Sequence, residues 1–450
     1  MDKQTLINTL CDFNDDTRRH ALQQLAEKTP FPAPDANFNM HCHSFFSYNA
    51  EGWSPSRVAY ECRARALCAA ALCDFDVLDG LDEFLEVGRL LALPVATHLE
   101  TRVFVKELSA VEISSPGEPG VAYIMGCGFT GIPTPESEQS IVLARLRQGA
   151  QDRNLALIAR INAALPAIAL DYNQDVLPLT PKGVATERHI VRAYNKQACK
   201  AFPDQDARAA FWAPLLKCAP EAFPAIEADV PKMEDLIRNA LAKRGGLGYS
   251  QPDEKTFPPA ETFVKWVRAC GAIPTIAWLD GTSGGESDSD KLLELMTGMG
   301  CAALNIIPDR NWNLKKPEEA ARKQALLDEV VQGCVKRNLP INVGTEMNKG
   351  GLPFADDITS GVLSKYAEPF THGMRVMVGQ TLLGIYANMP YLGERAASEF
   401  KDVARRNAFY AAIGALPALT NCQADSLIEA GYEKAFTMLA DAAKAEGCDR

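Results

Sequence analysis

The feature that most constrains the fold is a repeated alternation of short apolar segments with amphipathic segments of about 10 to 20 residues. The apolar segments are typical of buried strands, and the amphipathic segments are typical of helices that cover a sheet. Strands alternating with helices indicate an α/β fold with a parallel sheet, and about six or seven such units favour a closed barrel over an open sheet. The predicted strands lie at 37–44, 68–75, 94–105, 121–129, 272–280, 301–309 and 339–346.

The strand signals disappear between residues 151 and 255, where helix-forming segments are separated by proline-rich joints. A chain of 450 residues is too long for one ordinary core, but it suits a barrel enlarged by an insertion. We therefore expect a helical N-terminal extension, a first barrel part, a helical insertion, a second barrel part and C-terminal helices. These segments are predicted at 1–30, 31–150, 151–255, 256–390 and 391–450.

Charge and cysteine content narrow the range of partners. The formal net charge is −11, and an acidic surface repels phosphate backbones, so we expect no nucleic-acid partner. No run of about 18 apolar residues and no signal-peptide pattern occurs, so no membrane partner is expected. The 13 cysteines are scattered without a CxxC pair, which favours a reducing, cytoplasmic location. A homo-oligomer is left open.

Titratable residues stand at the ends of several predicted strands, where parallel α/β folds gather their catalytic groups. Two of them, His41 and His43, are two positions apart on a strand, so both imidazoles project to the same side. Imidazole is a common ligand of zinc, manganese and iron, and carboxylates complete such sites. The pattern predicts a divalent metal site among His41, His43, Asp74, Asp76, His98, Glu100, Asp280 and Glu346.

The stretch from residue 39 to residue 76 reads NMHCHSFFSYNAEGWSPSRVAYECRARAL and, one residue later, AAALCDFD. It resembles the opening of the PHP (polymerase and histidinol phosphatase) superfamily. Its members begin with a strand ending in HxHS or HxHT, a Ser-Pro-like helix start and a strand ending in TDH. PVATHLE, IPTIAWL and INVGTEMN are more loosely similar to later family strands. The resemblance spans about 40–130 and 256–350, and it implies a distorted (β/α)7 barrel that hydrolyses phosphoesters with up to three metal ions.

The resemblance also implies a ligand set. His41 and His43 match the first two family ligands, Glu100 matches the bridging glutamate, and Glu346 falls where an aspartate ligand is usual. The chain departs from the family at four positions where histidine is expected, namely Phe75, Tyr123, Trp278 and Asn348. Our hypothesis is therefore a single divalent ion (zinc, manganese or iron) held by His41, His43, Glu100 and Glu346.

Other strand-end residues have more than one interpretation. His98 should point to the same side as Glu100, where it is a further ligand, a partner of a ligand or an ordinary strand-end histidine. Asp74 is a candidate general base or an orienting partner of a ligand, and Asp280 is a second candidate base. Asp76 equally suits a cap of the next helix.

Two polar segments are candidates for substrate contact. In the insertion, Lys182 precedes a predicted helix start that carries Arg188 and His189, and cations at a helix N-terminus suit an anion. The alternative for these residues is a solvated helix start. Asn348 and Lys349 follow Glu346 in a glycine-containing loop, and a polar loop directly after a barrel strand is predicted to contact substrate.

These observations predict a phosphoesterase-like, metal-dependent hydrolase that acts on a small phosphorylated or otherwise anionic metabolite through metal-activated water. Asp74 or Asp280 would act as base, while Lys182, Arg188 and His189 would hold the anion. One alternative is a mononuclear isomerase, epimerase or lyase that stabilises an enediolate on a sugar. The other alternative is a degenerate, non-catalytic barrel that binds a ligand without metal.

Overall fold

A sheet of seven strands lies at the centre of the computed structural model, which describes residues 2–28 and 30–446. The strands follow one another around the sheet in chain order, and a bridge between Cys42 and Glu346 brings the last strand segment beside the first. The predicted seven-stranded α/β barrel is therefore confirmed, as a nearly closed barrel. Its strands are β1 Phe38–Cys42, β2 Ala69–Phe75, β3 Val95–Phe104, β4 Val121–Cys127, β5 Ile273–Trp278, β6 Ala303–Ile306 and β7 Ile341–Val343.

The sheet is parallel except at β4, which runs antiparallel to both β3 and β5. The expectation of an entirely parallel sheet is wrong here for a physical reason. Parallel neighbours need a crossover, usually a helix, whereas the segment between β3 and β4 contains only a single 3-10 turn at Lys106–Leu108. The chain therefore enters β4 at the edge where β3 ends, which places Tyr123 at the same edge as Arg102, its register partner.

Helices cover the barrel and fill the long connection between β4 and β5. The N-terminal and first barrel helices are α1 Lys3–Thr9, α2 Asp15–Lys28, α3 Pro55–Ala64 and α4 Leu81–Leu90. The connection contains α5 Glu138–Ala164, α6 Glu187–Ala201, α7 Gln205–Leu216, α8 Phe223–Ala228, α9 Val230–Leu241 and α10 Ala260–Ala269. After β5 follow α11 Ser289–Met299, α12 Asp309–Trp312, α13 Pro317–Lys336, α14 Ala367–Ala387, α15 Glu394–Glu399, α16 Val403–Gly414, α17 Asn421–Ala430 and α18 Tyr432–Ala445.

The buried apolar side chains form several clusters. The largest joins the strands to α10, α11, α13 and α14–α18, and another packs α1–α4 against β1 and β2. A separate core lies within α5–α9, where Tyr194, Trp212 and Ile237 are fully buried. The connection between β4 and β5 thus has its own packing, which fixes its polar residues relative to one another.

Local signals set the helix starts near the barrel mouth. The Ser54 hydroxyl accepts a hydrogen bond from the Arg57 N–H at 3.0 Å, and Pro55 occupies the first turn of α3, as predicted. No helix in the described ranges has both the length and the apolar character needed to cross a membrane. Met1, Thr29 and residues 447–450 of the predicted terminal segments lie outside the described residues.

Candidate metal centre

Three potential metal ligands converge at the carboxyl end of β1 and on β3, where Glu100 pairs with Phe75 at the end of β2. The Nε2 atoms of His41 and His43 each lie 3.5 Å from Oε2 of Glu100. All three side chains are buried, and all three of these atoms lack a hydrogen-bond partner among the described residues. Burying unpaired polar atoms is unfavourable by about 1–3 kcal/mol each, so three of them pointing at one another require an explanation.

A divalent cation satisfies these three atoms. Ligand atoms about 2.1 Å from a tetrahedral ion are about 3.4 Å apart, which agrees with the 3.5 Å separations between histidine and glutamate. Two imidazole nitrogens and one carboxylate oxygen suit zinc, manganese or iron. Three protein ligands also leave coordination positions open, as in catalytic rather than structural sites.

The ring orientation of His41 is fixed by a chain of buried amides. The Nδ1 atom of His41 lies 3.3 Å from Oδ1 of Asn305, and the same oxygen accepts a hydrogen bond from Nδ2 of Asn342 at 2.9 Å. Since that oxygen can only accept, the His41 Nδ1 carries the proton. Its Nε2 is then left with the lone pair that faces Glu100, as a metal ligand requires.

His43 is oriented in the same way through Ser47. Its Nδ1 lies 3.2 Å from the Ser47 hydroxyl, which donates to Oδ1 of Asp74 at 2.6 Å. Asp74 also accepts from the backbone N–H and the hydroxyl of Ser44, both at 2.7 Å. The structure therefore places Asp74 behind a candidate ligand, where it orients His43, and away from the cavity in which a base would have to act.

Phe75 packs on the His43 ring with centroids 4.6 Å apart and planes at 14°. Its aromatic ring cannot bind a metal ion, but it closes one side of His43 and restricts its rotation. Phe75 therefore helps to fix the position of a candidate ligand.

The carboxylate of Glu100 is ionised despite its burial. Burial raises the pKa of a carboxyl group, yet the imidazoles of His41 and His43 hold the pKa of Glu100 at about 2. Burial lowers the pKa of His41, but Glu100, with smaller contributions from Glu346 and Asn305, raises it above its usual value. A proton and a metal ion therefore compete for the same nitrogen.

His98 belongs to the support of the site. Its Nδ1 accepts from the Gly128 N–H at 3.1 Å, and its Nε2 lies 3.2 Å from Oδ1 of Asn342. Burial lowers its pKa to about 4, so the ring is neutral. Through Asn342 and Asn305 it connects to His41, which agrees with the interpretation of His98 as an indirect partner of a ligand.

Glu346 lies beside the three ligands but is engaged elsewhere. Its backbone carbonyl accepts from the His43 N–H at 2.9 Å, whereas its Oε2 accepts from Nη2 of Arg310 at 3.0 Å. The ligand atoms that lie within 4.8 Å of one another belong to His41, His43 and Glu100 and do not include Glu346. The backbone of Glu346 is left-handed, with φ of 65°, so its side chain leaves the strand end in an unusual direction.

A cavity of about 900 Å³ opens above these residues, between the barrel mouth and the helices of the β4–β5 connection. Nine arginine and lysine residues and seven aspartate and glutamate residues line it. The lining thus carries a positive surplus, although the chain as a whole has a net charge of −11. A cavity whose lining has a net positive charge attracts anions.

Of the predicted substrate-contacting residues, Arg188, Asn348 and Lys349 line the cavity. Arg188 and Lys349 share one counter-ion, since their nitrogens lie 3.5 Å and 2.8 Å from the Asp235 carboxylate. The β4–β5 connection and the loop after β7 therefore meet at this charge cluster.

Three other predicted residues do not reach the cavity lining. Asp280 binds Lys323, with Nζ and Oδ2 2.9 Å apart. Lys182 is exposed and lies over the Phe46 ring, 5.4 Å from its centroid. The Nδ1 of His189 accepts from the Thr186 N–H at 3.0 Å, so the ring caps its own helix, and burial lowers its pKa to about 3. The structure gives each of them a local partner in place of a substrate.

Several cavity residues were missed or given little weight by the sequence analysis. Arg238 and Lys243 bind the Glu187 carboxylate, and these cations hold its pKa at about 2 against the effect of burial. The only signal in the sequence around these residues is a helical pattern. Nothing local indicates that this segment faces the barrel. Arg310 follows β6 by four positions, so a wider search around strand ends would have found it.

No family model matches the chain, and no curated protein is similar to it at a significant level. Several solved structures are similar. One is a protein from Bifidobacterium adolescentis described as a metal-dependent phosphoesterase, which is 18% identical over 76% of this chain and 98% of that chain, with a TM-score of 0.46. Another is an amidohydrolase from Chromobacterium violaceum with bound sulfate and no metal, 17% identical over 74% and 96% of the respective chains, with a TM-score of 0.47. Both similarities are low, and the interpretation of the site rests on its own geometry.

Proposed function

We propose that the protein is a metal-dependent hydrolase of the PHP type that acts on a small phosphorylated or otherwise anionic metabolite. The observation that carries this proposal is the group of three buried, unpaired ligand atoms of His41, His43 and Glu100. They adjoin a cavity whose lining has a positive surplus. A metal site and an anion-attracting cavity in one place suit the hydrolysis of an anionic ester.

His41, His43 and Glu100 would hold the ion, which supplies polarisation of a substrate oxygen and acidification of water. Glu346 takes the place of Asp74 and Asp280 as the candidate proton acceptor because its carboxylate lines the cavity. The guanidinium of Arg310 binds Oε2 of Glu346 at 3.0 Å and leaves Oε1 without that partner. This Oε1 is the atom that would take the proton.

The residues of the cavity wall would bind and orient the substrate. Arg188 and Lys349 present cationic groups there, and Asn348 presents an amide. Arginine suits a phosphate or carboxylate because its planar group donates two parallel hydrogen bonds.

The twelve described cysteines are all free, which supports the proposal that the enzyme works in the reducing cytoplasm.

The test is a screen of phosphomonoesters, phosphodiesters and sugar phosphates with protein loaded with zinc, manganese or iron. The matched variants are Glu100→Gln and, as control, Glu261→Gln on the exposed side of α10. We expect phosphate release that falls more than about 100-fold in Glu100→Gln, since even indirect partners of ligands contribute about 10- to 100-fold. The control should retain full activity.

Two results would contradict the proposal. Equal activity of the parent and Glu100→Gln would mean that the reaction does not use the site. Interconversion of sugars without phosphate release would favour the mononuclear isomerase, epimerase or lyase instead.

A further inference from the structure

Arg310 is held rigidly at the barrel mouth by its neighbours in α12. Asn311 donates from Nδ2 to the carbonyls of Asp280 and Lys323, at 3.2 Å and 3.0 Å. The indole N–H of Trp312 donates to Oδ1 of Asp356 at 3.2 Å. Because these two residues fix α12 on both sides, the helix backbone holds Arg310 at the barrel mouth.

The guanidinium of Arg310 has hydrogen-bonding capacity that the protein does not use. An arginine has five N–H donors, and in the described structure the only side-chain hydrogen bond of Arg310 is from Nη2 to Oε2 of Glu346. Its Nε has no partner. That nitrogen is buried, but the side chain as a whole is 40% exposed and lines the cavity, so the remaining Nη donors are available to a ligand.

This guanidinium is also close to the candidate metal ligands. Glu346, its ion-pair partner, is bonded through its backbone carbonyl to the N–H of His43 at 2.9 Å. The Glu346 and Glu100 carboxylates both raise the pKa of Arg310. Arg310 therefore shares the electrostatic environment of the three ligands.

The carboxylates that would contact the ion and Arg310 do not offset their charges fully. A divalent ion and Arg310 would carry three positive charges, whereas Glu100 and Glu346 carry two negative ones. The next carboxylate, Asp74, is held behind His43 by two serines. Neighbouring cations repel strongly at a partly buried site unless a counter-charge lies between them. An oxyanion that binds both cations removes this repulsion.

We propose that Arg310 determines specificity by binding an oxyanion, the phosphate or carboxylate of the substrate, which bridges its free N–H groups and the ion held by His41, His43 and Glu100. Glu346 then positions Arg310 rather than serving as a ligand. This inference rests on the proposed function and narrows its substrates to compounds with an oxyanion at the reacting centre. A lysine could not replace Arg310 fully because it lacks the planar pair of donors.

The experiment measures binding of inorganic phosphate by calorimetry, together with metal content, for the metal-loaded parent, Arg310→Gln and Arg310→Lys. Arg337→Gln is the matched control, since Arg337 forms an ion pair of 2.9 Å with Asp290 outside the cavity lining. We expect Arg310→Gln to weaken phosphate binding about 10- to 100-fold with unchanged metal content. Arg310→Lys should restore part of the affinity, and Arg337→Gln should bind like the parent.

A further variant, Glu346→Gln, separates positioning from ligation. We expect it to keep its metal and to bind phosphate less tightly, whereas loss of its metal would overturn the role given to Glu346. Three results would overturn the inference and leave the metal site standing. They are unchanged phosphate binding in Arg310→Gln, loss of metal from that variant, and a metal-loaded parent that does not bind phosphate. If the parent binds no metal but phosphate binding still depends on Arg310, the proposed function fails and the oxyanion role of Arg310 stands.

Discussion

The hydrogen bond from His43 to Ser47 offers a sharp test of the candidate metal centre. Ser47→Ala removes the only hydrogen-bond partner of the His43 Nδ1 in the described structure, as well as the relay from that ring to Asp74. Without this acceptor the proton can move to Nε2, the atom that faces Glu100. A ring protonated at Nε2 cannot bind a metal ion there.

The size of the effect follows from the bond that is lost. A hydrogen bond of this kind contributes about 0.5–1.5 kcal/mol, and coupling to the buried Asp74 carboxylate strengthens it. Since about 1.4 kcal/mol corresponds to a factor of ten, we expect metal affinity to fall about 10-fold and by no more than about 100-fold, the range typical of indirect partners.

Ser44→Ala is the matched control. Its hydroxyl donates to the other oxygen of Asp74 at 2.7 Å and does not contact His43. Both variants lose one bond to the same carboxylate, but only Ser47→Ala affects the imidazole. Zinc affinity is measured by competition with a chromophoric chelator, with the thermal unfolding temperature as a check on folding. Equal zinc affinity in the two variants would refute the assigned role of Ser47.

Three further predictions concern stability. Because burial lowers the pKa of His98 from 6.5 to about 4, this side chain binds fewer protons in the folded than in the unfolded state in this range. His98 should therefore contribute about 3 kcal/mol of stability that is present above pH 6.5 and is lost as the pH drops to 4, measured by urea unfolding as the difference in pH dependence between the parent and His98→Gln. Glu286 accepts three backbone N–H bonds from residues 279–281, so Glu286→Gln should lower the free energy of unfolding by about 1–3 kcal/mol, and an unchanged value would contradict this. Gly379→Ala would place a Cβ 1.9 Å from the Tyr410 carbonyl oxygen and should lower the free energy of unfolding by about 1–3 kcal/mol or more. Gly298→Ala, in open space on α11, should raise it by up to about 1 kcal/mol. Equal effects of the two variants would show that the close packing of α14 and α16 does not limit stability.

The sequence was sufficient for those features that depend on local periodicity. Strand–helix alternation predicts the seven strands, and a spacing of two residues places His41 and His43 on one side of β1. Glu100 was found as a buried-strand carboxylate on β3, and the resemblance to the PHP superfamily singled it out as a ligand. These inferences need no knowledge of which strands are neighbours.

The remaining features depend on contacts between distant segments, and the sequence could not supply them. The direction of β4 is set by the lack of a crossover helix. The tautomer of His41 depends on Asn305 and Asn342, which lie more than 250 positions away along the chain. Asp74 looked like a base because it follows a strand, but the serines of the preceding loop occupy both of its oxygens. Strand-end position indicates where a side chain lies and not whether it is free to react.

The central claim is that His41, His43 and Glu100 bind a divalent ion, and elemental analysis of the purified protein tests it most directly. The parent is compared with His41→Ala/His43→Ala and with the matched control His20→Ala/His372→Ala, which changes two histidines outside the candidate site. We predict about one equivalent of zinc, manganese or iron in the parent and the control, and none in His41→Ala/His43→Ala. A parent that holds no metal after incubation with each ion, or a double variant that retains it, would contradict the account.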